Sequence, residues 1–144
     1  MKHKGALMEY SQERIDDLMR AYCKYLSSCD YIRMPDVYNN IVNMPSRRFW
    51  VSDIRAALVV AAMMRGDAHL EKMCQSKREM YEEIYRRVTL MREKYPDKTT
   101  SELCAMVVMQ PAPKFYLTPG SAKIMVCKAR KEWIRRNQQR LFRY

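Results

Sequence analysis

Two groupings of side chains in this sequence could do chemistry. The first closes the chain. Lys128, Lys131, Arg135, Arg136, Arg140 and Arg143 crowd around and beyond Trp133. Between Lys123 and Tyr144 there are eight bases and one acid, Glu132, which makes +7 of the chain's total of +11. Cations at that density neutralise phosphates and release condensed counterions, so binding would be salt-sensitive and indifferent to base sequence. The second grouping occurs twice. "PSRRFWVS", residues 45–52, sets Arg47 and Arg48 beside Trp50, and "PAPKFYLT", residues 111–118, sets Lys114 beside Tyr116. A cation next to an aromatic can hold a phosphate and stack a base. The plainer role for such an aromatic is to cover a junction between helices.

Other chemistries find little support. Nucleophilic catalysis needs a nucleophile, a base and a group that orients the base. The chain has five cysteines but only two histidines, His3 and His69, one in a terminal segment and one in a linker. No cysteine pair has the C-x-x-C spacing of a zinc site or redox motif. Asp16/Asp17 and Glu82/Glu83 fall on polar helix faces, where solvated carboxylates are the expectation. With three glycines, the sequence contains no phosphate-cradling glycine loop. A non-enzymatic protein with no metal and no cofactor is expected. Its longest apolar run, Ala56 to Met64, is too short to span a bilayer. The N-terminus lacks a signal-like apolar stretch. These features predict a cytoplasmic location, reduced thiols and no membrane partner.

The elements that position these residues are legible from a repeat. Shifted by 66 residues, Pro45 meets Pro111, Arg48 meets Lys114, and Phe49 meets Phe115. Trp50, Val51 and Ser52 then meet Tyr116, Leu117 and Thr118. Upstream, Ile15, Leu18, Met19 and Tyr22 match Tyr81, Ile84, Tyr85 and Val88, with the spacing of an amphipathic helix in both copies. The register predicts an all-α protein: a tandem duplication of a three-helix unit forming one compact pseudo-two-fold domain. The parts are a tail at 1–10, unit one at 11–66, a linker at 67–76, unit two at 77–133 and a basic extension of the last helix at 134–144. Predicted helices span 11–27, 35–44 and 53–64, then 76–94, 101–109 and 119–140.

Pro45 and Pro111 cannot continue a preceding helix. Ser52 and Thr118 stand where N-caps belong, and Gly66 suits a left-handed C-cap. The octets between are extended connectors, placed to pair as a very short two-stranded ribbon. Alternation puts Phe49 and Val51 on one side, Arg48 and Trp50 on the other. Each connector is eight residues long, against the three or four of a helix-turn-helix. The helix over 53–64 also offers almost nothing to base edges. It is apolar on nearly every side and is expected to be buried. In the final helix, Ala122, Met125, Val126, Ala129 and Trp133 form one stripe expected to dock.

The pairing of "MPSRRFWVSDIRAALVV" with "QPAPKFYLTPGSAKIMV", and "KREMYEEIYRRV" between them, resembles small proteins of prophages and conjugative elements in gut bacteria. These carry P-x-x-[RK]-F-[YW]-[VL]-[ST] segments. The resemblance covers roughly residues 34–133. It implies an accessory protein of a mobile element and assigns no catalytic residue. The sequence therefore predicts a binder of DNA or RNA backbone with low sequence specificity. Lys128, Lys131, Arg135, Arg136, Arg140 and Arg143 would form the main contact, with Arg47, Arg48 and Lys114 as a second patch. The competing expectation is a protein–protein adaptor or virion component whose basic tail only keeps it soluble.

Overall fold

Helix boundaries follow the stop and start residues. A computed structural model describes residues 4–141, with side chains from 10 to 140. Six α-helices run α1 Lys4–Ser28, α2 Met34–Ile41, α3 Asp53–Arg65, α4 Gln75–Lys94, α5 Thr100–Val108 and α6 Pro119–Leu141. One 3-10 turn, Leu70–Lys72, interrupts the linker. The protein is all-α: among the described residues there is no strand, only an isolated antiparallel bridge between Ser46 and Ala112. The expected ribbon is thus a single bridged pair. Ser52 Oγ accepts from the Arg55 N–H at 3.1 Å, and Thr118 Oγ1 accepts from the Ser121 N–H at 3.1 Å. Gly66 closes α3 at φ 80°, a left-handed conformation that costs glycine little. The N-terminal residues expected as a tail are already helical from Lys4.

The helices gather into two compact units, and neither coincides with a predicted repeat unit. One unit is contiguous, residues 45–116, and holds α3, α4 and α5 packed on one another. Its core includes Phe49, Val60, Ile84, Val88, Leu103 and Val107, all fully buried. The other unit joins residues 1–44 to 117–144, so that α6 packs on α1 and α2. Leu18, Ala21, Val37, Ile41, Ala122 and Val126 are its fully buried apolar residues among those described. The third helix of each half of the chain thereby docks on the first two helices of the opposite half.

Within the 45–116 unit the two connectors meet. Ser46 and Ala112 exchange reciprocal backbone hydrogen bonds, each 3.0 Å, and the Phe49 N–H donates to the Val108 carbonyl at 3.0 Å. Both residues of the bridge are buried. They stand 66 positions apart, which is the offset of the sequence register. The Ser46 hydroxyl reaches the Arg48 carbonyl at 2.8 Å and the Lys114 carbonyl at 3.3 Å, so a buried polar group is satisfied. Arg87 ties the junction to α4. Its guanidinium lies 4.9 Å from the Phe49 ring centroid, donates to the Pro111 carbonyl at 2.9 Å and to Glu83 at 2.9 Å.

Two expectations change here. Asp17 and Glu83 are not solvated. Asp17 is 1% exposed and pairs with Arg20 at 2.6 Å, while Glu83 is half-buried between Arg86 at 2.6 Å and Arg87. Each acid needs its arginine because an unpaired charge is costly to bury. Their neighbours Asp16 and Glu82 are exposed as expected. Helix α3 is also less buried than its composition suggested. Ala56, Val59 and Val60 face the core, but Ile54 is 72% and Leu58 60% exposed. Packing on α4 and α5 leaves α3 a solvent side, and its apolar residues occupy that side too.

Candidate nucleic-acid interface

Helix α6 is amphipathic only in its first half. Ala122 and Val126 are buried and Met125 and Ala129 half-buried, a stripe that holds this part of the helix on its unit. The stripe was expected to end in a docked Trp133. Instead Trp133 is 67% exposed, since docking stops a turn earlier. From Ala129 onward the helix carries its cations on all sides.

Those cations sort by helical angle. Lys128, Lys131 and Arg135 lie within about 60° of one another on the side opposite the docked stripe. All three are exposed. Arg136 and Arg140 follow the stripe itself, on the side of Trp133, and are exposed as well. Between the two sets sits Glu132, paired with Arg135 and, at 3.5 Å, with Arg136. The Arg135 guanidinium donating to it holds the Glu132 carboxyl below its usual range. One acid therefore partly neutralises two of the bases, and the rest of α6 stays strongly positive. Lys128 to Arg140 covers about 18 Å of helix. Arg143 lies outside the described residues. Arg130, half a turn from Lys128 and exposed, belongs with this group, and it is one of the eight bases of the charge run in the sequence.

The second predicted patch is differently employed. Arg48 donates from Nε to the Phe49 carbonyl at 3.1 Å and from Nη2 to the Val51 carbonyl at 3.0 Å. It also lies 5.1 Å from the Trp50 ring centroid. Lys114 pairs with Glu79 at 2.6 Å and stands 5.4 Å from the Tyr116 ring. Its ammonium holds the Glu79 carboxyl below the usual range. Tyr116 is half-buried, stacks on Phe49 at 5.9 Å between centroids and 16° between planes, and adopts φ 57°. Burial pushes its phenol up to about 12. Arg47 is exposed. Any phosphate on Arg48 or Lys114 would compete with contacts that brace the connectors.

Among the described residues no three His, Cys, Asp or Glu side chains gather as a metal site. Cys104 is buried, and burial pushes its thiol up to about 11, far from a reactive thiolate. Also among the described residues, no helix is long and apolar enough to cross a membrane. Comparison with protein-family models, with curated proteins and with solved structures finds no match to this chain.

Proposed function

We propose that this chain is a non-enzymatic, cytoplasmic nucleic-acid-binding accessory protein that holds a phosphate backbone through the C-terminal half of α6. The observation that carries the reading is the run of exposed cations Lys128, Lys131, Arg135, Arg136 and Arg140 along and beyond the last docked turn, with Glu132 the one acid in that segment. Arg143 extends the same run in sequence, and Arg47 is the exposed member of the secondary patch. Placement in a mobile element rests on the resemblance of the two P-x-x-[RK]-F segments. The duplication reading gains from the bridge between Ser46 and Ala112, since the two residues that pair are counterparts at the 66-residue offset. Asp17 with Arg20 and Glu83 with Arg86 repeat the same ion pair at the same offset.

The test is a salt titration of binding to unrelated DNA and RNA duplexes. Each phosphate contact on duplex DNA contributes about 0.9 to the slope of log K against log salt. Replacing Lys128, Lys131 and Arg135 together by Gln should flatten the slope by up to about 3 and weaken all sequences alike. An unchanged slope and affinity would remove the Lys128–Lys131–Arg135 face of α6 from the contact. The adaptor reading has its own observation: Ile54 and Leu58 form an exposed apolar row one turn apart on α3. A chain that binds no nucleic acid at low salt belongs to that second reading.

A further inference from the structure

The geometry points to Trp133 as a stacking platform for an unpaired base, making single-stranded nucleic acid the preferred ligand of α6. This rests on the phosphate-binding reading and narrows it. A tryptophan that follows the phase of a buried stripe is ordinarily part of the core. Trp133 shares the phase of Ala122 and Val126 yet is 67% exposed. Its surroundings on the helix are cationic. Arg130, three residues before, and Arg136, three residues after, lie about 60° to either side of it, and Arg140 is nearly in line two turns on. Side chains at such spacings are neighbours on a helix surface. Asn137, one turn along, turns its amide back to donate to the Trp133 carbonyl at 2.9 Å, so the nearest uncharged polar group is held against the helix.

An exposed indole with an arginine position about 60° to either side of it on the helix matches one ligand chemistry: a flat π-face with phosphates to either side of it. A splayed nucleotide has that layout. In a duplex the base faces are covered by their neighbours, and the phosphates can reach only the cations. Base–aromatic stacking tolerates any base, since each has a π-face. The charge complementarity of three arginines favours this occupant over an apolar protein surface, which would leave those cations desolvated and unpaired.

The experiment uses the full chain and a labelled single strand, with the same strand annealed as a duplex, at matched salt. The wild type should bind the single strand more tightly. Trp133→Ala should lower single-strand affinity by about 5- to 150-fold, the range of one lost base stack. Duplex affinity should stay within about twofold, and both salt slopes should hold. Trp133→Phe should recover much of the loss. In a Trp50→Phe background the remaining indole fluorescence should be quenched by the single strand and little by the duplex. Equal weakening of both ligands by Trp133→Ala, or of neither, overturns the platform while leaving phosphate binding through α6 intact. Absence of binding to either ligand by the wild type at low salt overturns both.

Discussion

Phe49 shows what one side chain does in this structure. It is fully buried, its ring lies under the Arg87 guanidinium and against Tyr116, and its N–H holds the end of α5. Phe49→Ala should cost about 3–5 kcal/mol in a denaturant melt, as buried phenylalanines do. Ser52→Ala, three residues on, removes one cap hydrogen bond and should cost about 1 kcal/mol. Equal effects would contradict the burial. Glu83 gives a pH signature. Hydrogen bonding from Arg86, then Arg87, holds its carboxyl below the usual 4.5. A carboxyl depressed in the fold stabilises above its unfolded value and loses that stabilisation as pH falls through the folded one. Glu83→Gln should therefore be less stable than wild type at pH 7, with the gap closing below about pH 4.5.

At the scale of elements, much was legible in the sequence. Alternation in "RRFWVS" placed Phe49 and Val51 in the core and Arg48 beside Trp50. Proline, serine, threonine and glycine fixed the helix ends because each acts through its own backbone chemistry within a few residues. What was not legible depends on residues distant in sequence. Periodicity gives Asp17 and Glu83 a polar side, but their burial depends on what packs over that side. The length of a docked stripe depends on where the partner helices end, so Trp133 fits the pattern and escapes the core. The candidate site shares this limit: charge density located it, but not which cations brace the connectors. Thr99 and Glu102 form a capping box readable from T-x-x-E spacing, which opens α5. The docking limit at Ala129 sets a prediction for α6. Truncation after Trp133 removes Arg135, Arg136, Arg140, Arg143 and no acid. The thermal midpoint should hold and the helical signal should fall only by the residues lost. On duplex DNA the salt slope should flatten by up to about 3 to 4. A collapsed midpoint would mean that docking continues past Ala129.

The whole molecule is governed by its crossed connectivity. The 45–116 unit is contiguous and has its own core, so all of its contacts form within one unbroken segment. The other unit must bring residues 1–44 to residues 117–144 across everything between. Closing such a loop costs entropy that grows with its length. The bridge between Ser46 and Ala112 holds the two connectors side by side within the contiguous unit, and if it forms first it offsets part of that cost. Stability should therefore be hierarchical. Val126 is fully buried in the split unit, and Val126→Asp places an unpaired charge there. Native-state hydrogen exchange should then show α1, α2 and α6 losing protection while α3, α4 and α5 keep theirs. Phe49→Ala acts on the unit that delivers the exits and should lower protection in all six helices. Loss of protection everywhere in Val126→Asp would show that the contiguous unit depends on the split one, and would reverse the order of assembly argued from the bridge.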